Sequence, residues 1–241
     1  MRIVLDAMGT DTCPTPDVHG GVLAARELGA SIILVGDEAA IKLELAKYST
    51  AGLDIEILHA AQAITMEDKP SAVTKGKPDS SMHVGLNLVQ TGHANGFVTM
   101  GNTGAAHAIS MLATLGRIRG VKRPALSAVF PIFGKSVIFT DIGANADCKP
   151  EWMAQFALMG AIYSQYALGI SNDPTIGLLS NGEEEGKGNS LIKETSDLLR
   201  QTKLNFVGNV EPKQIFTRVS DVVVSDGFTG NILVKVYEAG T

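Results

Sequence analysis

Residues 96–115, GFVTMGNTGAAHAISMLATL, place a short apolar segment, a glycine-containing turn and a helical pattern in direct succession. We predict a strand over 96–100 and a helix over 104–115. Glycines let a backbone approach a ligand closely, and the first amide N–H groups of a helix have no partner within it. Such a junction can bind an anion, although in isolation it is more often an ordinary strand–helix turn with a polar cap.

The same alternation of apolar segments and helical patterns continues through the chain. Further strands are predicted at residues 3–7, 31–36, 53–60, 125–132, 136–143, 175–180, 204–208 and 221–227. Further helices are predicted at 18–28, 38–48, 82–89, 151–169 and 189–201. Continuously apolar strands that alternate with helices are typical of a mostly parallel sheet covered by helices on both faces. We therefore predict an α/β fold in a single domain over 1–241.

The composition is that of a globular protein with a modest acidic balance. Of 241 residues, 45% are hydrophobic, and 20 basic against 25 acidic residues give a net charge of −5. This balance argues against general nucleic-acid binding, which needs a basic surface. No apolar run approaches the roughly 20 residues that cross a bilayer, and residues 1–9 lack the layout of a signal peptide. Cys13 and Cys148 form no disulfide framework or metal-binding pair, so we expect reduced cysteines and a cytoplasmic location.

Several polar loops follow predicted strands, which is where α/β folds bind ligands. The segment 75–81 combines cations and hydroxyls before a predicted helix, and it fits an anion site or a solvated cap equally well. Segments 141–145 (DIGAN) and 225–231 (SDGFTGN) each place an acid at a strand end, followed by glycine and a polar side chain. An Asp in such a position can also simply cap the turn.

The usual nucleophile and nucleotide motifs are absent from the sequence. The loop 182–188, GEEEGKG, is typical of a solvated loop, yet its glycines leave Lys187 free to reach an anion. No segment matches G-x-x-x-x-G-K-[ST], G-x-S-x-G or H-E-x-x-H. The five histidines are dispersed, and Cys13 has no base beside it in the sequence. We predict no metal site and no activated nucleophile.

Taken together, the loops resemble the phosphate:acyl-(acyl carrier protein) acyltransferase family, often called PlsX. Matching motifs follow one another in the family's order: DAMG at 6–9 with Asp11, DSSM at 79–82, GNTGA at 101–105, RPA at 123–125, DIGAN at 141–145, GEE at 182–184 with KG at 187–188, GNVE at 208–211, and DGF at 226–228 with GN at 230–231. Each motif is short, but the ordered set covers almost the whole chain.

The resemblance implies a fold related to the isocitrate and isopropylmalate dehydrogenases and to phosphotransacetylase. It implies a transferase that makes acyl phosphate from acyl-(acyl carrier protein) and inorganic phosphate, the first step toward phosphatidic acid in bacterial phospholipid synthesis. It also implies a homodimer, no cofactor, and peripheral contact with the membrane in some bacteria. A phosphotransacetylase-like acyl-CoA:phosphate transferase and a non-catalytic homologue remain alternatives, while a decarboxylating dehydrogenase would need a metal and nucleotide site that the sequence lacks.

The chain departs from the family pattern at several places, among them Met100, Ser180-Asn181 and Pro212, and most clearly in the first motif and in its length. The first motif usually reads DAMGGDHAP, whereas here Thr10, Thr12 and Cys13 replace the second glycine, the histidine and the alanine. Family members also continue well beyond the position of Thr241, so the resemblance implies that the C-terminal part of the family fold is absent.

The resemblance leads to a hypothesis for each loop. Phosphate is expected to bind at Gly101, Asn102, Thr103 and Gly104, with Ser80 or Ser81. The expected catalytic residues are Asn145, Lys187, Asn231 and Asp226, with Lys187 capturing phosphate, an Asn donating to the carbonyl, and Asp226 and Asp141 orienting the donors. The basic cluster Arg117, Arg119, Lys122 and Arg123 is expected to dock the acidic carrier protein, although a solvated basic turn fits it nearly as well.

Overall fold

The first half of the chain is built on four parallel strands. A computed structural model describes residues 1–217 and 220–240, and the chain forms two compact units, Met1–Arg117 and Ile118–Thr241. Along the first sheet the strands are ordered β3 (Ile55–His59), β2 (Ser31–Gly36), β1 (Arg2–Asp6) and β4 (Gly96–Val98). The helices of this unit are α1 (Thr15–Leu28), α2 (Glu38–Leu45), α3 (Pro70–Gly76), α4 (Ser81–Gln90) and α5 (Thr103–Leu112).

Both faces of the first sheet are buried because successive strand residues point to opposite sides. Ile32 and Leu34 of β2 pack with residues of α1 and α2 such as Val18. Ile33 and Val35 lie on the other face, with partly buried side chains of α4 packed beside them. This two-sided packing is what the continuously apolar strand SIILVG predicts.

The second unit holds five strands and is also mostly parallel. Their order is β5 (Ser127–Ile132), β6 (Lys135–Thr140), β9 (Val222–Val224), β7 (Thr175–Leu179) and β8 (Asn205–Val210). The pair β5–β6 is antiparallel and the other pairs are parallel. The helices are α6 (Pro150–Ile162), which continues as a π-helix over Tyr163–Ala167, then α7 (Ser190–Arg200), α8 (Pro212–Ile215) and α9 (Gly227–Gly240).

A two-residue turn makes the antiparallel pair possible. Phe133 and Gly134 connect β5 to β6 with φ values of 46° and 76°. Positive φ at both central residues is the geometry that matches the twist of a tight hairpin. The remaining strands need helical crossovers, which place α6 and α7 against one face, where Phe156 and Leu199 pack with Ile176.

The predicted α/β class, with mostly parallel strands and helices on both faces, is confirmed. The strands form two sheets, and α3 and α8 are short helices that the hydrophobic pattern did not indicate. The single-domain organisation over 1–241 stays a prediction. Within residues 1–217 and 220–240, no helix combines the length and the apolarity that crossing a bilayer requires.

Candidate active site

Two glycine turns lie against each other at one edge of the first sheet. The strands β1 and β4 are parallel neighbours, so the turns at Gly9 and Gly101 leave the same edge. A Cβ atom added at Gly101 would lie 3.2 Å from the Cα atom of Gly9. One added at Gly9 would lie 3.0 Å from the amide nitrogen of Gly101. A side chain at either position would push the turns apart, so close approach explains both glycines.

The buried carboxylate of Asp6 connects these turns. It is 1% exposed and accepts hydrogen bonds from the Thr99 hydroxyl at 2.7 Å and from the Met8 amide at 3.0 Å. The Thr99 hydroxyl oxygen in turn accepts from the Gly101 amide at 3.0 Å. Asp6 therefore holds the backbone of both turns in place. Any effect of Asp6 on a bound ligand is transmitted by these two turns.

Thr10, one of the departures from the family motif, has a structural partner. Its hydroxyl donates to the Asp17 carboxylate at 2.6 Å. Burial raises the pKa of Asp17, the bond from Thr10 opposes that shift, and the charge of nearby Asp6 adds to it. Thr10 thus stabilises the ionised form of a buried acid beside the first turn.

The start of α5 offers main-chain amides, while the side chain of Asn102 has other partners. Its Oδ1 accepts from the Ala105 amide at 3.0 Å, and its Nδ2 donates to the carbonyls of Thr65 at 3.1 Å and Asp68 at 3.0 Å. Asn102 therefore caps α5, and its side chain also holds the loop at residues 65–68 by hydrogen bonds. The amides of Thr103 and Gly104 stand in the first turn, where a helix supplies no partner.

The two serines at the start of α4 differ in what their hydroxyls contact. Ser80 caps the helix and lies 2.9 Å from Nδ1 of the buried His83. Ser81 is 1% exposed, and its Oγ has no hydrogen-bond partner within residues 1–217 and 220–240. The Cε atom of Met82 would lie 2.9 Å from a Cβ at Gly101, so the start of α4 lies beside the Gly101 turn. The structure brings segments 80–81 and 101–104 together.

In the second unit, the carboxylate of Asp141 accepts five hydrogen bonds directly after β6. It is completely buried. Its donors are the amides of Leu126 (3.1 Å), Gly143 (3.0 Å), Ala144 (2.9 Å) and Asn145 (2.8 Å), and the Nδ2 of Asn145 (2.8 Å). This carboxylate holds the whole 141–145 loop in one conformation.

Asn145 belongs to the same network. The sequence suggested instead that its side chain donates a hydrogen bond to the substrate carbonyl. Its Nδ2 donates both to Asp141 and to the carbonyl of Pro124, each at 2.8 Å. A side-chain amide has two N–H donors, and both are engaged here. Asn145 therefore has no N–H left for a substrate carbonyl, and it acts as a loop-positioning residue.

The first turn of α9 packs directly on this loop. The Gly227 amide donates to the Asn145 carbonyl at 2.8 Å, and a Cβ at Gly227 would lie 2.7 Å from that oxygen. A Cβ at Gly230 would overlap the Asp141 carbonyl oxygen. Asn231 is exposed and donates to the carbonyl of Ile142 at 3.2 Å. The glycines of DGFTGN are therefore required by close backbone packing.

Two adjoining cavities open at the carboxyl edge of the second sheet. The larger, of about 580 Å³, lies where β7 and β9 end, beside α7 and α9, and the smaller, of about 320 Å³, reaches the 146–148 loop. Asn189, Asp226 and Thr229 line both, and together the cavities form what we call the carboxyl-edge cleft. The Asp226 carboxylate caps α9 by accepting from the amide and the hydroxyl of Thr229, each at 2.8 Å.

Lys187 lies on the exposed loop beside this cleft. Asn209 supports the loop by donating to the carbonyls of Glu184 at 3.3 Å and Lys187 at 3.4 Å. Gly188 lines the cleft, whereas Lys187 does not. No carboxylate in the described part of the chain pairs with the Lys187 ammonium group. Lys187, Asn145, Asp226 and Asn231 thus lie in the second unit, and the predicted phosphate residues lie in the first.

Comparison with known proteins identifies the family. A family model described as "Fatty acid synthesis protein" matches residues 1–241. The phosphate acyltransferase of Pelobacter propionicus is 48% identical over 238 residues, which cover 99% of this chain and 68% of that protein. The chain belongs to the fatty acid synthesis protein family. The phosphate acyltransferase of Geotalea uraniireducens is 46% identical with the same coverage, so the resemblance read from the motifs and the acyltransferase activity that it implied are confirmed.

Solved structures share the fold of this fatty acid synthesis family member. A phosphotransacetylase from Streptococcus pyogenes gives a TM-score of 0.70 at 18% identity, over 99% of this chain and 81% of that chain. A 4-hydroxythreonine-4-phosphate dehydrogenase from Burkholderia phymatum gives 0.58 at 16% identity, over 98% and 82%. The phosphotransacetylase-like fold is confirmed, and the dehydrogenase neighbour agrees with the dehydrogenase-like description.

Sequence reasoning missed one polar residue of the carboxyl-edge cleft. Asn189 lines both cavities and caps α7, its Oδ1 accepting from the Ile192 amide at 3.0 Å. Its Nδ2 has no hydrogen-bond partner in the ranges 1–217 and 220–240. The signal was present, because an Asn between a glycine and a helical pattern is a common N-cap. No group of three His, Cys, Asp or Glu side chains among the described residues could hold a metal ion.

Cys148 lines the cleft as a thiol, not as a thiolate. Its Sγ donates to the carbonyl of Asn145 at 3.3 Å, and burial raises the pKa of Cys148 to about 11. At pH 8 roughly one thiol in a thousand is then ionised, and only the thiolate is nucleophilic. In a Cys13→Ser background we expect alkylation by iodoacetamide at least about 100-fold slower than in the urea-unfolded chain. Equal rates in the two states would contradict the raised pKa.

The predicted docking cations are exposed, and the structure adds Lys149 to those of the second unit. Trp152 at the start of α6 lies between two of them, with the Arg123 guanidinium 5.2 Å and the Lys149 ammonium 5.9 Å from its ring centre. Gln155 fixes the segment by accepting from the Lys122 amide at 2.8 Å. Arg119, Lys122, Arg123 and Lys149 thus form a basic surface before and at the start of α6, while Arg117 closes the first unit.

Proposed function

We propose that this chain transfers a fatty acyl group from acyl-(acyl carrier protein) to inorganic phosphate, which gives acyl phosphate for bacterial phospholipid synthesis. The observation that carries the proposal is the match to phosphate acyltransferases at 44–48% identity over 99% of the chain. The chemistry of the candidate residues agrees with it. The cleft and turns offer amides, hydroxyls and side-chain amides, and the cleft cysteine is a poor nucleophile.

The reaction needs positioning more than activation. Phosphate is anionic near neutral pH and a large share of it is the dianion, so its oxygens need little help from a general base. One of its oxygens attacks the thioester carbon, the carbon–oxygen bond forms, the carbon–sulfur bond breaks, and the carrier thiolate leaves. Holding the two reactants in an attack geometry can supply most of the acceleration, and donors at the developing oxyanion supply more.

We propose that phosphate is captured by main-chain amides and one hydroxyl of the first unit, together with the Lys187 ammonium group. The amides are those of Thr103 and Gly104 in the first turn of α5, and the hydroxyl is that of Ser81, which has no hydrogen-bond partner in the described part of the chain. Ser80 and Asn102 cap α4 and α5, and in this way they hold the backbone of the phosphate site in place. Gly101 is required because any larger residue would displace the Gly9 turn.

We propose that a residue of the carboxyl-edge cleft donates a hydrogen bond to the thioester carbonyl. Asn145 and Asn231 were the expected donors, but the amide hydrogens of Asn145 are bound and Asn231 donates to the Ile142 carbonyl. We assign the role to Asn189, which lines the cleft and whose Nδ2 has no hydrogen-bond partner in the described part of the chain. Asp226 acts by fixing the first turn of α9.

Carrier dependence separates this proposal from its alternatives. At equal concentrations, acyl-(acyl carrier protein) should release its thiol in the presence of phosphate at least about tenfold more efficiently than acyl-CoA. A higher efficiency with acyl-CoA would favour a phosphotransacetylase-like enzyme. No phosphate-dependent release from either thioester would identify a non-catalytic homologue.

Replacing Lys187 with alanine should raise the KM for phosphate about tenfold and change kcat little. A charge-assisted contact is worth about 1.5 kcal/mol, which corresponds to that factor. Lys193→Ala is the matched control, since it removes an exposed lysine of the same unit that lies on α7 and not on the 182–188 loop. Steady-state kinetics with varied phosphate measures the effect, and an unchanged KM would remove Lys187 from the site.

Reversing the charges of Arg117 and Arg119 to glutamate should raise the KM for the acyl carrier protein about tenfold at low salt. The carrier is strongly acidic, so the reversed charges repel it, and the effect should shrink as salt screens it. Lys193→Glu provides a control for a general loss of positive charge. A KM unchanged at low salt would reject the docking surface.

The family resemblance also leads us to propose a cytoplasmic homodimer with peripheral contact to the membrane. Light scattering should give a mass of twice 25.3 kDa, and a monomer at micromolar concentration would contradict the dimer. Sedimentation with vesicles of anionic lipid should carry part of the protein down, and a fully unbound protein would contradict the membrane contact.

A further inference from the structure

The larger cavity of the carboxyl-edge cleft is lined by both polar and apolar residues. The polar lining comes from Ser180, Asn181, Asn189, Asp226 and Thr229. The apolar lining comes from Leu179, Ile192, Pro212, Ile232, Leu233 and Val236. Clefts of a few hundred Å³ with mostly apolar walls and a few placed polar groups are typical of small-molecule sites. A lining that combines the two kinds of residue fits a ligand with a polar head and an apolar tail.

Helix α9 sets the direction of the cavity. Thr229, Ile232 and Val236 follow one another at spacings of three and four residues, so they share one face of the helix. The face begins with a polar residue in the first turn and continues with apolar ones. Ile232 is 50% exposed and Val236 is 65% exposed, although both line a cavity. The described residues therefore leave much of the apolar surface of these two side chains uncovered.

The apolar end continues beyond the cleft. A second cavity of about 240 Å³ shares Pro212, Leu233 and Val236 with the first, and its further lining is apolar or aromatic, including Phe130 and Phe139. At about 30 Å³ for each non-hydrogen atom, the larger cavity alone has room for roughly 20 atoms. This is the size of a long acyl chain with its carbonyl group.

We infer that the apolar end of the carboxyl-edge cleft binds the fatty acyl chain of the thioester, and that Ile232 and Val236 set the chain length it accepts. This inference rests on the proposed function and adds the location of the tail. The carbonyl lies at the Asn189 and Thr229 end, and the tail runs along α9 toward Val236. Among the described residues, those that line this cavity include no cation, and its walls there are mostly apolar.

The test is a binding series with acyl-CoA thioesters of 4 to 16 carbons, measured by calorimetry without phosphate so that no turnover is needed. In the unmodified chain each added methylene should tighten binding roughly fourfold until the cavity is full. Ile232→Trp should end this gain at a short chain. Val236→Trp, one turn further along α9, should end it at a longer chain. This order of the two limits is specific to a tail that runs along the helix.

Lys235→Trp is the matched control, because Lys235 is exposed on the same helix and lines neither cavity. It should leave the length dependence unchanged. The inference is overturned if binding of the unmodified chain is independent of acyl length, or if both tryptophan variants keep its full length dependence. Because binding is measured without phosphate, a protein that binds long chains but releases no thiol would contradict the proposed function while leaving the acyl site supported.

Discussion

Replacing Gly230 with alanine should lower the free energy of unfolding by at least about 3 kcal/mol and abolish most of the activity. The new Cβ atom would overlap the Asp141 carbonyl oxygen and lie 2.5 Å from the Ser225 hydroxyl oxygen. A backbone carbonyl cannot rotate away as a flexible side chain can, so α9 must shift from the 141–145 loop. Overpacking in a close-packed region costs 1–3 kcal/mol, occasionally more. Urea unfolding monitored by circular dichroism measures the loss.

Gly20→Ala is the control for this experiment. Gly20 lies within α1, and a Cβ added there meets nothing within 4 Å. In an open helical position alanine should stabilise the chain by about 0.5–1 kcal/mol. If Gly230→Ala were as stable as Gly20→Ala, the close packing of α9 on the Asp141 loop would be wrong.

Asp141→Ala should cost about 4 kcal/mol or more of stability and remove the activity. The buried carboxylate accepts five hydrogen bonds, so its loss leaves four main-chain amides and one side-chain N–H without their acceptor. Each unsatisfied buried donor costs about 1–3 kcal/mol, reduced where water enters. Amide hydrogen exchange should show lost protection at Gly143, Ala144 and Asn145.

Asp197→Ala is the matched control, since Asp197 is exposed on α7 and its change should move stability by less than about 0.5 kcal/mol. Wild-type stability of Asp141→Ala would show that the 141–145 loop does not depend on this carboxylate. Retained protection of the three amides would lead to the same conclusion.

Most of the fold follows from hydrophobic patterning. SIILVG is buried on both faces of β2, and the strand–turn–helix junction at 96–115 is present with slightly shifted bounds. Patterning could not assign strands to sheets, because β1 and β7 are equally apolar and only long-range pairing separates them. The helices α3 and α8 are short and start at a proline, so they carry too few residues to show a period.

The candidate site was less predictable, because partners far apart in sequence decide what each polar group does. Motif spacing located the loops, but Asp141 follows Pro124 and Leu126 by more than ten residues and still shares one network with them. The sequence does not distinguish Ser80 from Ser81. In the structure, the Ser80 hydroxyl lies within hydrogen-bond distance of the His83 ring, whereas the Ser81 hydroxyl has no partner among the described residues. Asn145 likewise reads as a free amide until its two acceptors are known.

In the proposed reaction, phosphate itself attacks the acyl thioester. The direct measurement incubates the 241-residue chain with acyl-(acyl carrier protein) and radiolabelled inorganic phosphate, and follows label and freed thiol together. We predict labelled acyl phosphate in one-to-one proportion to the freed carrier thiol, with neither formed when phosphate is omitted. Thiol release without label incorporation, or no release at all, would contradict the account.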